Sequence, residues 1–462
     1  MNLLPINQLS IRDLSRAFHQ GTISVTQVTE SALVNARAQT RCRAFVWLDE
    51  TGARSCATAL SEKPANGPLW GVPVSVKDLF DVAQLPTTCG SPFYAGTRPV
   101  PSVDSTYAAL WRSRNVVFTG KTTLNEFAYG ITGENRCFGD CIQPGYPDRL
   151  TGGSSSGAAA SVLMGAAMVG LGTDTGGSLR VPAALCGLVS YRGSVGLGDS
   201  TGSFPLARSF DTLGWLQRFI DDLPFVARTL HPEIDSPRWQ KIPRVAILTG
   251  AWLEAAEGEV LHALNHFAET LTDAGAKVDR VEMVGWEKAS DLFILIQAYE
   301  AHADHTSFLK NYAAAYDPAI LARLKMGAGV SLDRYNQLQE ERQRFNRGFK
   351  DLFAEYDILV APASAMRVLK VGSDQSATRS RLLRLTAPMS LGGLPALTLP
   401  WVTQENPGTG FQCLANQGAD GRLWSFAEWL SEHLPFGAPI PRPMLTTDQI
   451  LGNSAGLKLA GG

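Results

Sequence analysis

The chain is 462 residues long, 45% apolar and 18% charged, with a formal net charge of −2. This balance excludes a disordered chain and a basic binder of nucleic acid or anionic lipid, and the length suits a large α/β enzyme kept in one unit. Seven cysteines are spread from Cys42 to Cys413 without disulfide-framework spacing, and neither a signal-type leader nor an apolar run long enough to cross a bilayer is visible, which points to reduced thiols and a cytoplasmic protein.

In chain order, Ser10 with Asp13 and Ser24 with Gln27 have the spacing of helix N-terminal caps, and Gly21 is placed to stop the first helix. Two helices are predicted there, and residues 1–66 read as a helical lead-in. The stretch VPVSVKDLF, Val72 to Phe80, alternates Val72, Val74 and Val76 with other residues at the period of a strand, so Lys77 emerges near a strand's end. Cys137 and Cys141 form a lone C-x3-C with no second ligand pair, a weak metal signal that coincidence explains better.

Two clusters then follow, TGGSSSG (Thr151 to Gly157) and GTDTGGSLR (Gly172 to Arg180). A flexible linker would continue in polar low-complexity sequence, but AAASVLMGAAMVGL lies between them, which reads as a packed helix running into a buried strand. Further on, Arg244 to Gly250, a helix with Leu261, Leu264, Phe267 and Leu271 on one face, and Ala276 to Val284 make a strand, helix, strand unit with parallel pairing. Ser331 to Ala354 carries a helical pattern through Leu338, Phe345, Phe349 and Leu352, and YDILVAPA after it reads as a buried strand. Arg379, Arg381 and Arg384 read as a solvated helix face, the alternative being that they meet an anionic substrate group.

No histidine lies in the segment that holds the Gly-Ser clusters: the seven are at 19, 231, 262, 266, 302, 305 and 433. His262 and His266 share helical spacing but lack the Glu of a zinc-protease motif. A lysine replaces histidine as base when burial lowers its pKa, because the neutral amine accepts protons well. Lys77 at a strand end suits that need.

The fragments GPLWGVPVSVKD (Gly67 to Asp78), TGKTTLNEFAYG (Thr119 to Gly130), TGGSSSGAAA (Thr151 to Ala160) and GTDTGGSLRVPAALCG (Gly172 to Gly187) together resemble the amidase signature family, with weaker echoes in DILVAPA and TAPMSLGGLPALTLP. The resemblance spans most of the chain. It implies a single α/β domain over residues 1–462, with a central mixed, mostly parallel β-sheet covered by helices on both faces and residues 67–200 as its catalytic signature core. It further implies Lys77 as base, Ser154 as relay and Ser178 as nucleophile, with a cis peptide between Gly153 and Ser154. Backbone amides of Thr175, Gly176 and Gly177, together with that of Ser178, would form an oxyanion hole. Asp174 and Arg180 would brace the loop, and Ser155 would support it by hydrogen bonding. Ser156, Ala158 and Tyr191-Arg192-Gly193 depart from the family pattern, which bears on substrate preference and loop packing.

The expected partner is a small-molecule amide, with no metal or cofactor, no nucleic acid and no membrane, and a homodimer stays open. Competing readings are an amidase-type subunit of an amidotransferase complex and a lysine enzyme holding pyridoxal phosphate, the latter leaving GTDTGGS without a role.

Overall fold

Residues 4–402, 408–435, 438–441 and 443 are described by a computed structural model. Its first two helices, Ile11–Gln20 and Val25–Ala38, start where the sequence predicts, and the first also stops there. Ser10 accepts from the Asp13 amide, Ser24 and Gln27 close a capping box, and Gly21 ends the first helix at φ 67. Residues 1–66 are not purely helical, however: Phe45–Leu48 is an edge strand of the main sheet, followed by the helix Glu50–Ser61. The outer ends of the expected span 1–462, residues 1–3 and 444–462, lie outside the described residues.

The strands in chain order are β1 (Phe45–Leu48), β2 (Pro73–Lys77), β3 (Val117–Thr122), β4 (Arg149–Leu150), β5 (Val169–Thr173), β6 (Val189–Arg192), β7 (Leu213–Gln217), β8 (Arg244–Thr249), β9 (Lys277–Glu282), β10 (Ile358–Pro362), β11 (Leu369–Lys370), β12 (Ala396–Trp401) and β13 (Thr409–Leu414). Eleven of them form one sheet in the order β1-β3-β2-β5-β7-β6-β12-β13-β10-β8-β9, while β4 and β11 pair separately. The result is a single α/β domain with a mixed sheet flanked by helices. Strands β2, β3, β5, β6, β7, β10, β12 and β13 are buried at every position, which requires cover on both faces.

The expectation of mostly parallel pairing needs correction. Only β3–β2, β2–β5, β10–β8 and β8–β9 are parallel, and the neighbours from β5 through β10 are antiparallel. For β12 and β13 the physical reason is connection length. Trp401 and Thr409 are separated by residues 402–408, too few for the crossover that parallel neighbours require. The parallel unit predicted around β8 and β9 is present, joined by the helix Gly258–Asp273.

Helix Thr378–Leu391 corrects a second expectation, because its arginines do not form a solvated face. Arg381 Nε donates to Ala255 O (3.0 Å), Arg384 Nη2 to Ala251 O (3.1 Å) and Arg379 Nη2 to Gln297 Oε1 (2.9 Å). The long alkyl stems let these residues cover apolar neighbours while their heads find carbonyls.

The helix Ser156–Leu163, which follows the first Gly-Ser cluster, is buried throughout its first two turns and packs against β5. Gly157 makes this approach possible: a Cβ there would run into the backbone of Ala44 and Thr123. We expect Gly157→Ala to destabilise the protein by about 1–3 kcal/mol, read as a lower denaturation midpoint in urea; an unchanged midpoint would show that the helix has room to shift.

Candidate active site

Parallel strands β2 and β5 end side by side, and their last residues build the centre of the site. Val76 is in register with Leu171, which carries Lys77 at the end of β2 to Thr173 at the end of β5. Loops beyond the carboxyl ends of parallel strands are the usual place for ligands in α/β sheets. Lys77 is fully buried, with Nζ 2.8 Å from Ser154 Oγ, 3.1 Å from Ser155 Oγ and 2.9 Å from Thr173 Oγ1. Burial brings its pKa from 10.5 down to about 7, although the carboxylates of Asp174 and Asp211 pull the other way. That displacement corresponds to about 5 kcal/mol of preference for the uncharged amine.

Two of the acids around Lys77, Asp78 and Asp174, are held by other cations. Asp78, its neighbour in sequence, forms a buried ion pair with Lys121 at 2.6 Å. Asp174 receives Arg180 at 2.8 Å and Arg192 at 2.7 Å, and all three side chains are fully buried. Burial by itself would raise the Asp174 pKa, but the two guanidiniums more than reverse this and keep it well below the ordinary carboxylate range. Arg180 also donates to Thr386 O, Gln412 Oε1 and Ser390 Oγ, so the loop after β5 is tied to helix Thr378–Leu391 and to β13. Arg192 adds bonds to the carbonyls of Asp174, Thr175, Phe210 and Leu394.

The two Gly-Ser clusters meet directly. Ser155 N donates to Ser178 O (3.1 Å), and Ser155 Oγ donates to Thr173 O (3.2 Å). The Gly153–Ser154 peptide is cis, as the resemblance implies. Lys77, Ser154 and Ser155 are thus brought together, whereas no hydrogen bond joins the Ser154 and Ser178 hydroxyls among the described residues. Ser178 is buried and lines a small slot together with Tyr129, Gly130, Ile131, Gly176, Leu383 and Arg379, among others. Gly130, Ile131 and Arg379 also line a cavity of about 410 Å³, and a second cavity of about 390 Å³ reaches Thr173 and Asp211.

One expected oxyanion donor is otherwise engaged: the Gly177 amide donates to Asp174 Oδ1 at 2.8 Å. This leaves the amides of Thr175, Gly176 and Ser178 as the donors of that loop. Thr175 is itself held, its hydroxyl donating to Asp211 Oδ1 at 2.5 Å. Asp211 is partly buried, and desolvation raises its pKa to about 6, against bonds from Thr175, Leu206 and Ala207.

Sequence reasoning missed Thr173, Lys121, Asp211 and Arg192. Lys121 lies in the quoted TGKTT fragment and Thr173 in GTDTGG, but a lone Lys or Thr carries no spacing signal that assigns it a partner. Arg192 was visible only as a departure from the family pattern.

Among the described residues, no group of three or more His, Cys, Asp or Glu side chains is placed to hold a metal ion, and no helix is long and apolar enough to cross a membrane.

The family described as Amidase matches residues 27–424, and the chain belongs to it. It is therefore an amidase-class hydrolase acting on C–N bonds of non-peptide amides. The chain is 32% identical to 2-amino-5-chloromuconic acid deaminase of Comamonas testosteroni, over 92% of this chain and 98% of that one. It is 28% identical to a glutamyl-tRNA(Gln) amidotransferase subunit of Roseiflexus castenholzii, over 89% of this chain and 93% of the relative. Among solved structures, a crystal structure of an amidase superposes with a TM-score of 0.84 at 29% identity, over 92% of this chain and all of that one.

Because Asp174 compensates two buried guanidiniums, Asp174→Asn leaves both without their counter-charge. The expected loss of stability is about 3–5 kcal/mol, measured by equilibrium denaturation. A loss below about 1 kcal/mol would show that backbone carbonyls alone satisfy Arg180 and Arg192.

Proposed function

We propose that the protein hydrolyses a small carboxylic or carbamoyl-type amide to an acid plus ammonia or an amine, through an acyl-enzyme on Ser178. Residues 67–200 would form the catalytic core. The observation that carries this reading is Lys77, sealed from water with its amine against the Ser154 hydroxyl and its pKa brought down to about 7. In this reading Ser154 gives its proton to the neutral Lys77 amine and takes the proton of Ser178, whose oxygen attacks the amide carbon. The amides of Thr175, Gly176 and Ser178 meet the developing oxyanion. As the C–N bond breaks, the proton returns through Ser154 to the leaving nitrogen. A water activated by the same pair then cleaves the ester, releases the acid and restores Ser178.

The seven unpaired cysteines fit a reducing, cytoplasmic setting. The likeness to the amidotransferase component favours a second reading, in which the chain works within a complex and hands ammonia to a partner. Ammonia release by the isolated chain from amides other than glutamine supports the free-standing hydrolase.

The test is covalent labelling with a fluorophosphonate followed by mass spectrometry across pH. Adduct is expected on Ser178 alone and absent from Ser178→Ala. Since Lys77 loses its proton near 7, its base form grows as pH rises, so the labelling rate climbs about tenfold per pH unit below that value and levels off above it. Adduct on Ser154 or a cysteine, or a rate indifferent to pH, would contradict the assignment.

A further inference from the structure

Arg379 is the second residue of helix Thr378–Leu391 and the one charged side chain among the described residues that line the slot at Ser178. Leu383, one turn further on, lines the same slot, and the Thr386 hydroxyl donates to Gly176 O at 2.5 Å. One face of this helix therefore runs from the 410 Å³ cavity to the loop that carries Ser178. Along the axis Arg379 lies about 10 Å from Thr386, which packs against the loop that carries Ser178.

The charge environment of Arg379 differs from that of the structural arginines. Arg180 and Arg192 are each paired with Asp174. Arg379 makes no ion pair among the described residues: its bond is to the neutral Gln297, and its guanidinium stands 5.8 Å from the Tyr129 ring centre. Arg323 stands over the same ring at 5.7 Å. Burial and then the like charge of Arg323 lower the Arg379 pKa to about 10, against the opposite pull of the Tyr129 phenol, so it stays cationic. Asp317 and Glu134 do act on Arg323. These two acids, with Glu126, Asp140 and Asp374, line the cavity but not the slot. They line the same cavity as Arg379, together with the cations Arg136 and Arg323. A half-buried guanidinium at a cavity wall without a counter-ion is matched by a ligand carboxylate, which its fork of donors binds strongly.

We propose that Arg379 anchors a carboxylate on the substrate, so that the enzyme acts on short amides that also carry an acid group, such as monoamides of small dicarboxylic acids. This rests on the amidase reading for the position of the scissile bond. The test uses calorimetric titration of Ser178→Ala with monoamides from malonamate to glutaramate and with the matching neutral diamides. At least one monoamide should bind about tenfold or more tightly than its diamide. Adding Arg379→Gln should remove that preference and Arg379→Lys should retain part of it, with thermal melts showing that the variants fold. Equal binding of monoamide and diamide across the series, or a preference that survives Arg379→Gln, overturns the proposal. Ammonia release by the wild type is measured in parallel. Arg379-dependent binding without hydrolysis supports the subsite and counts against the amidase reading alone, whereas hydrolysis of neutral amides without any Arg379-dependent preference counts against the subsite alone.

Discussion

A lysine amine surrounded by hydroxyls and shut off from water is the constraint on which the rest of the site depends. An ammonium in such a place keeps its proton only if a carboxylate pairs with it. The partners of Lys77 are Ser154, Ser155 and Thr173, none of them an acid. Two acids close in sequence or space are compensated by cations elsewhere, Asp78 by Lys121 and Asp174 by Arg180 and Arg192, while Asp211 is held by Thr175 and the Leu206 and Ala207 amides. The buried ion pairs thus act on the amine indirectly, by weakening the fields that would otherwise protonate it. Such pairs add little net stability, because desolvation offsets most of their attraction, so a role in setting the charge of Lys77 accounts for their presence better than stability does.

The bareness of the two Gly-Ser clusters follows from the same geometry. The strand ends carrying Lys77 and Thr173 lie within an eleven-stranded sheet, and the loops after β5 and before Ser156 must close over them from both sides. Gly157 lets the helix lie against Ala44 and Thr123, and Gly177 at φ 125 turns its amide to Asp174 while bringing Thr386 near. Helix Thr378–Leu391 then joins the N-terminal and C-terminal parts of the chain: it reaches Gly176 through Thr386 and Arg180 through Ser390. A single face of that helix both supports the loop of Ser178 and presents Arg379 to the cavity.

Much of this was legible in the sequence. Alternating valines ending in Lys77, capped N-terminal helices and the strand, helix, strand unit around β8 and β9 are local patterns whose period survives folding. The pairing sense of β6, β7, β12 and β13 was not legible, because short uniformly buried strands carry no period that tells a parallel neighbour from an antiparallel one. Arg192 reaches Asp174 across 18 residues and Arg379 reaches Gln297 across 82, and such contacts are set by the sheet order, which no local spacing encodes. The same holds for Gly177, whose amide is open to an oxyanion by sequence but is taken by Asp174 in the fold.

The charge of Lys77 can be read directly. NMR titration of the protein carrying isotope-labelled lysine, with the ε-methylene signal assigned by its loss in Lys77→Met, follows this one amine through its deprotonation. The account predicts a midpoint near 7; a midpoint near the ordinary lysine value of about 10.4 would mean that the amine stays charged at working pH and is not the base.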